Sequence, residues 1–596
     1  MVSFTSTKLY ALWINSVTKV REAFGKRRNK KAAEIRVERE AQSPPCSRRS
    51  LQAKGSLFSL GAPSLLELSC NALCRNHQHL TADDLNGLPC DIVQCILDEL
   101  VSKDDLTLPV LQLFRKQSIY DFKVSDLPEV QADWLKMLHT APLRRVHLTR
   151  CSQVNDAALL ALQHQISLVD LDLRDCIKLT DDGMGHLAGL TALTSLNLHG
   201  CDLLTARGVL MICALTNLRH LDLDLCSKAS GLQHMAGLCQ LETLHLGWCS
   251  NVCDDDVKGL QQLTTLTDLQ LSRTKVSDKG MSYLGGLVQL RRLAMQGTGI
   301  TSGSMPIVGR FSELQALDVA WTAVGSQGMA HLTGLQNLTR LSLAYTHITD
   351  SALSSLQQLS SLSDLNLDSC NITDRGCATL FSAVRGIQKL DLSDTVVRDD
   401  AMQAVAQLSN LNTLSLAYSG VGDAGLQHLS SLTSLTSLNL DSRLFTDMGM
   451  RHVQGLTNLV ALDLFAAKIS DIGCGYFSKL QKLESLEVCG GRVTDVGVGV
   501  ISLIPSLTSL SLAHNVGITD GALGHLARLT HLCSLNLTHS RITGNGLTAL
   551  YGLTELTSLS AYSTRVRRSA ADRIHLAMPN LQKLRLGHGV APPPYA

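Results

Sequence analysis

The stretch LSLAYTHITDSALSSLQQL, Leu341 to Leu359, holds the pattern that decides the fold. Leu341 and Leu343 alternate, so both side chains point to one face of a short strand. Thr349 followed by Asp350 marks a helix start, because a side-chain oxygen there caps free backbone amides. Leu353, Leu356 and Leu359 follow at helical spacing. The stretch reads as strand, turn and short helix with its leucines turned to one side. A unit this small has no means of burying them alone, so copies must stack into one continuous core.

The copies are present. The Leu-x-Leu word recurs from Val146/Leu148 and Leu171/Leu173, through Leu317/Val319 and Leu462/Leu464, to Leu584/Leu586. That makes 19 units of 24–25 residues. The helix-start signal recurs at Thr180/Asp181, Ser277/Asp278, Thr373/Asp374, Thr446/Asp447, Ser470/Asp471, Thr494/Asp495 and Thr519/Asp520, often with glycine two residues on, as at Gly183, Gly376 and Gly473. Leucine supplies 110 of the 596 residues, while aromatic residues are 4%. Length alone suggests about four domains, but the repeat replaces them with one solenoid.

Hydrophobic content of 45% excludes disorder over the whole length. The net charge of +1 argues against a nucleic-acid partner for the whole chain, yet it is unevenly spread. Residues 1–54 hold 13 Lys+Arg against 4 Asp+Glu, a net of +9 that leaves −8 for the remainder. Lys26, Arg27, Arg28, Lys30 and Lys31 read as a nuclear signal or an anionic-surface contact, residues 1–21 lack acids as a transit peptide does, and a plain solvated tail is the third reading. Lys8, Asn15 and Lys19 interrupt any signal-peptide core, and no apolar run reaches the roughly 18 residues of a membrane span. The 18 cysteines are expected to stay reduced, in a cytoplasmic or nuclear setting.

These features resemble the leucine-rich-repeat family over about 143–590. The resemblance implies an α/β solenoid, a curved horseshoe or near-ring with parallel strands on the concave face and short helices outside. Three residues after the second strand leucine stand Cys151, Cys176, Cys201, Cys226, Cys249 and Cys370, which looks like the cysteine-containing, ribonuclease-inhibitor-like class. Elsewhere the slot holds Thr274, Thr298, Thr322, Thr346, Thr395, Ser419, Asn515 or Ser540. All can hydrogen-bond the turn backbone of neighbouring coils, so the column reads as a structural ladder. Arg443, Ala467 and Gly491 break it and mark local irregularity. Cys70, Cys74, His77 and His79 have zinc-ligand chemistry, but the cysteine spacing is unusual and a second half-site is missing, so no metal or other cofactor is expected.

Residues 63–140 do not repeat and read as helical. Leu88-Pro89 opens an amphipathic stretch with Ile92, Ile96 and Leu100 on one face, and a second helical run spans Leu106 to Phe122. Residues 88–123 resemble the start of an F-box, which implies docking to a Skp1-like linker of a cullin ubiquitin ligase through Leu88, Pro89, Ile92, Ile96 and Leu100. Pro63-Ser64-Leu65-Leu66-Glu67-Leu68 is similar to the corresponding point of plant-type F-box-like leucine-rich-repeat proteins. The alternative is a helical cap over the first coil's open end, which a solenoid requires in any case. The expected layout is a basic tail (1–60), this segment (63–140), the repeats (143–590) and a Pro-rich tail (591–596).

Side chains between and just after the strand leucines face outward. The early coils supply Asp170, Asp172, Asp175, Asp222, Asp224 and Asp268; the middle ones Trp248, Trp321, Tyr345, Tyr418, Asp364, Asp368, Asp391 and Asp394; the late ones Phe465, His514, His539 and Tyr562. Exposed aromatic anchors suit a protein interface, and the early acidic patch favours a basic partner. Trp248 and Trp321 have a second reading, tucked against neighbouring turns. Scattered Asp and His without a third member, and glycines without a P-loop lysine, point away from catalysis. The expectation is a protein-interaction module that serves as substrate-recognition adaptor of an SCF-type ubiquitin ligase, a monomer within a complex. The first rival is a scaffold with no ubiquitin link. The second, a small-anion receptor, fits poorly with an acidic face that lacks a Lys/Arg cluster.

Overall fold

In the computed structural model the Leu-x-Leu words become short strands, mostly of three residues, such as Arg340–Ser342 around Leu341. Leu341 pairs in parallel register with Leu317 before it and Leu365 after it. Leu343, Ile348, Leu353, Leu356, Leu359 and Leu362 complete the inner side of that coil, and each is fully buried. Seven apolar positions per coil therefore line the core. The structure describes residues 81–86, 88–567 and 570–587, in two units, Met1–Cys226 and Ser227–Ala596. The basic tail, the Pro63–Leu68 motif, the Cys70/Cys74/His77/His79 cluster and the 591–596 tail lie outside the described residues.

The first unit holds β1 (Asp121–Ser125), β2 (Arg145–Thr149), β3 (Asp170–Asp172), β4 (Ser195–Asn197) and β5 (His220–Asp222), paired in parallel in that order. In the second unit, strands run from Thr243–His245 to Lys583–Gly587, again parallel with their chain neighbours. The strand β1 corrects the sequence reading. The Leu106–Phe122 run is helical only over Leu108–Gln112, and Phe122 and Val124 are the buried pair of one further coil. The coils therefore begin at residue 121 and not 143. Phe122-Lys123-Val124 escaped notice because neither strand position is leucine.

The helix α1 (Cys90–Ser102) closes the open edge of β1. Gln94 Nε2 donates to the Asp121 carbonyl at 2.7 Å, and Gln94 Oε1 accepts from the Tyr120 and Asp121 amides at 3.3 and 3.1 Å. An edge strand's free backbone groups invite pairing with another chain, and here one buried amide side chain occupies them. Val93, Ile96, Leu97 and Leu100 are all buried beneath. Of the five residues read as a docking face, Ile96 and Leu100 are core, Leu88 and Ile92 are half-exposed and Pro89 is exposed.

The Thr/Ser-Asp-x-Gly word does more than cap helices. Asp447 reaches across to the next coil, where its carboxylate accepts from the Ser470 amide at 2.8 Å, the Ser470 hydroxyl and the Gly473 amide at 3.0 Å. The same bridge joins Asp181 to Thr205, Asp254 to Ser277, Asp471 to Thr494 and Asp520 to Thr543. A side chain in place of Gly473 would collide with the Asp447 carboxylate, so the glycine is the space that the preceding coil's aspartate needs.

The slot three residues after the second strand leucine divides its hydrogen bonds by residue type. Cys176, Cys226 and Cys370 donate to the previous coil's carbonyl, of Leu148, Leu198 and Leu343, at 3.0–3.2 Å. Thr274, Thr298 and Thr322 instead donate to their own coil, to Leu271, Met295 and Val319, at 2.6–2.7 Å. Burial pushes the Cys176 and Cys226 thiols up to about 12, which makes them poor nucleophiles. In the irregular coil, Ser442 is buried while Arg443 is exposed, a shift of one residue.

Candidate functional site

The residue two places after the second strand leucine turns the chain out of the strand. It adopts positive φ in coil after coil: 63° at Trp248, 60° at Arg273, 58° at Trp321, 54° at Tyr345 and 53° at Tyr418. Bulky L-residues avoid this left-handed region for steric reasons, and glycine takes the position at Gly200, Gly297 and Gly490. The conformation is held from the next coil. Trp248, Trp321 and Tyr345 donate their amides to the carbonyls of Ser272, Ala344 and Asp368 at 2.8–2.9 Å. The rings are thereby thrown outward, with Trp248, Trp321, Tyr345 and Tyr418 exposed by 56, 46, 42 and 54%. A strained backbone that exhibits large apolar side chains is a functional signal.

Four of these side chains form one surface. Trp321 and Tyr345 stack with centroids 3.8 Å apart and planes 13° from parallel. The Arg273 guanidinium lies 5.3 Å from the Trp248 ring and 5.5 Å from the Trp321 ring, within cation–π range of both. Gly297 makes this possible, since a Cβ there would meet Arg273 Cδ at 2.7 Å. A cavity of about 440 Å³ opens beside Trp321 and Tyr345, with Thr298, Ala323, His347 and Ser369 in its wall. A second, of about 420 Å³, lies on the strand face where Ala294 and Ala316 leave room between Arg292, Arg340, Asp268 and Asp318. Further on, His514 and His539 stack at 4.3 Å, and burial lowers the His514 pKa, with the His539 charge adding. Phe465 and Tyr562 are half-buried on the strand side and stand apart from the exposed rings.

The early acidic patch is paired in part. Asp172 is buried and bridged by Arg174 at 2.6 Å, and Asp170 is bound by His147 at 2.9 Å. Burial pushes Asp170 up, but the His147 hydrogen bond and charge hold it below the usual carboxylate range. Asp222 and Asp224 meet His199 with ligand-type atoms within 4.8 Å of one another. Asn197 Nδ2 and the Asp224 amide already donate to Asp222, at 3.2 and 2.9 Å. At the position just before the first strand leucine the sequence reading took Asp170, Asp268 and Asp364 but passed over Arg292, Arg340 and Lys389. The strand face therefore does hold basic residues.

The family profile described as leucine-rich repeat region matches residues 131–437, and a leucine-rich-repeat profile matches 528–550. No curated protein matches the chain. Among solved structures, an internalin from Listeria monocytogenes is 23% identical over 52% of this chain and 83% of its own, with a TM-score of 0.41. A TLR13–ssRNA13 complex gives 17% identity, 79% and 70% coverage and a TM-score of 0.47. The plant peptide hormone receptor RGFR1 in complex with RGF2 gives 14%, 80% and 92%, and 0.33. Among the described residues no helix is long and apolar enough to cross a membrane. With repeats stacked in parallel register and a family profile spanning half its length, this chain belongs to the leucine-rich-repeat family.

Proposed function

We propose that the chain is a protein-interaction scaffold that captures a partner on the turn column of its second unit, with Trp248, Arg273, Trp321 and Tyr345 as the anchor. The stacked, outward-held rings carry this reading. Rings and arginine are the side chains that dominate interface energetics, and here they are fixed before binding, so little entropy is lost on association. The leucine-rich-repeat framework supplies the rigid support. The aspartate bridges and thiol ladder belong to the framework and take no part in chemistry.

The ubiquitin-ligase adaptor reading is the weaker one. It requires α1 to offer Ile96 and Leu100 to a Skp1-like linker, whereas both close the first unit's core and Gln94 is spent on β1. A cap is the role these contacts support. The chain's partner, once captured from cells, is then titrated against wild type and Trp321→Ala/Tyr345→Ala. Each ring is worth on the order of 2 kcal/mol at an interface hot spot, so the double variant should bind roughly 1000-fold more weakly. Unchanged affinity removes the anchor assignment. A stable complex with purified Skp1 would restore the adaptor reading.

A further inference from the structure

The strand face of the unit Ser227–Ala596 carries three carboxylates that the aromatic anchor leaves unused. Asp463 and Glu487 stand opposite each other in register on the strands Ala461–Asp463 and Ser485–Glu487. Asp441 lies one coil earlier, two residues past the strand Ser437–Asn439. Like charges directly opposite in a sheet are destabilising. No ion pair among the described residues answers any of the three. The bonds they do make bring no positive charge: the Tyr418 side chain to Asp441, the Phe465 amide to Asp463 at 2.9 Å, and the Cys489 thiol at 3.2 Å and Ser511 side chain to Glu487. The strand position beside them is Ser437, Ala461 and Ser485, all uncharged.

A second observation sets this apart from an ordinary acidic surface. Asp441 is only 8% exposed, and its Oδ1 has no hydrogen-bond partner. A buried carboxylate oxygen without a donor is costly. Burial pushes all three carboxyls above the usual range, and the Asp463 charge adds to this at Asp441 and Glu487. Stability gains nothing from such a stripe.

We propose that Asp441, Asp463 and Glu487 receive the cationic side chains of a partner's extended basic segment, with Tyr418 and Phe465 flanking the site. A guanidinium can both pair with carboxylates and stack on rings. The spacing favours a segment over a metal ion. Adjacent strands are about 4.8 Å apart and Asp441 sits two residues further along its strand, so Asp441 to Glu487 spans roughly 12 Å, and side chains at i and i+4 of an extended peptide, about 13 Å apart, reach both ends. A single ion must draw its oxygens to within about 2.6 Å. Only His199, Asp222 and Asp224 bring three ligand atoms that near one another among the described residues. The site deepens the interaction reading but uses residues distinct from the anchor.

The test titrates the full chain with a fluorescent nonapeptide alternating arginine and glycine, and with its glutamate counterpart, read by anisotropy. The arginine peptide should bind and the glutamate peptide should not. Asp441→Asn/Glu487→Gln should weaken binding roughly tenfold or more while raising the melting temperature. Glu313→Gln/Asp400→Asn, a charge-matched change at exposed positions, should leave affinity within about twofold. Trp321→Ala/Tyr345→Ala should leave it unchanged, so failure of the anchor and failure of the stripe are read separately. Several results overturn the proposal: equal loss in both charge variants, no arginine-peptide binding to the folded wild type at millimolar concentration, or a lower melting temperature for Asp441→Asn/Glu487→Gln. Calcium or magnesium that stabilises wild type but not that variant, and blocks the peptide, would make the stripe a metal site and also overturn it.

Discussion

Replacing Gly208 by alanine should destabilise the protein, and the sign should reverse once Asp181 is removed. Gly208 sits in the helix Ala206–Ile212, where alanine is normally better than glycine by about 0.5–1 kcal/mol. The Asp181 carboxylate of the preceding coil occupies the space of the missing Cβ, with Asp181 Cγ 3.3 Å from it. To admit a methyl, Asp181 must release the Thr205 amide at 2.8 Å and the Thr205 hydroxyl at 2.6 Å. Thr205 Oγ1 in turn accepts from the Arg207 amide at 3.3 Å, so the cap loosens as well. Two bonds to a carboxylate, partly replaced by water, amount to about 2–3 kcal/mol, so Gly208→Ala should cost about 2 kcal/mol net. In an Asp181→Ala background the nearest remaining atom is Leu204 Cδ2 at 3.4 Å, an ordinary contact. There the same substitution should stabilise by about 0.5–1 kcal/mol, a coupling of about 2–3 kcal/mol. Urea unfolding of the four chains, with exchange of the Thr205 and Arg207 amides as the local readout, measures the cycle. Equal costs in both backgrounds would refute the reading of the glycine as space for the aspartate.

Three further outcomes are expected. Gln94→Leu should cost about 1–3 kcal/mol and speed amide exchange at Tyr120 and Asp121, because the β1 edge loses the acceptor that Gln94 supplies there; unchanged exchange would contradict the cap. In the native state a thiol reagent should modify exposed Cys90, Cys95 and Cys239 but spare Cys176, Cys201 and Cys226 until unfolding, and early loss of the last three would mean the ladder is open. Asp441, Asp463 and Glu487 have raised folded pKa values, so the native state holds more protons than the unfolded chain between the ordinary carboxylate range and those values. Their contribution to stability therefore falls as pH rises through that window. Tyr418, Cys489 and Ser511 face them and add no positive charge. The melting-temperature gap between wild type and Asp441→Asn/Glu487→Gln should widen from about pH 4 to pH 7, and a constant gap would refute this.

The repeat was legible because its signals are local. Leucine alternation and the Thr/Ser-Asp start each lie within a few residues; the first recurs in coil after coil and the second in many of them. The aspartate bridge was not legible as a bridge, since Asp447 and Ser470 are 23 residues apart and either explains itself locally as helix capping. Position β1 was missed because Phe122 and Val124 satisfy the strand's geometry without leucine. The F-box resemblance rested on the word Leu88-Pro89, Ile92, Ile96 and Leu100 with its helical spacing, which a docking face and a buried face share; the Gln94 bonds to β1, 27 residues on, cannot be read from it. Trp321 and Tyr345 were singled out by scarcity, but their stacking depends on left-handed φ at consecutive coils, which non-glycine residues do not advertise. Asp441, Asp463 and Glu487 were overlooked because charge alone does not reveal which carboxylates lack partners.

A photo-crosslinking amino acid placed in turn on the two sides of adjacent coils tests the central claim most directly. Ser369 lies in the turn column beside Tyr345, and Gln358 lies exposed on the helix side. Partner adducts should form from position 369 and disappear in the Trp321→Ala/Tyr345→Ala background, while position 358 should give none. Adducts from 358 but not from 369 would contradict the account and move the interface to the helices.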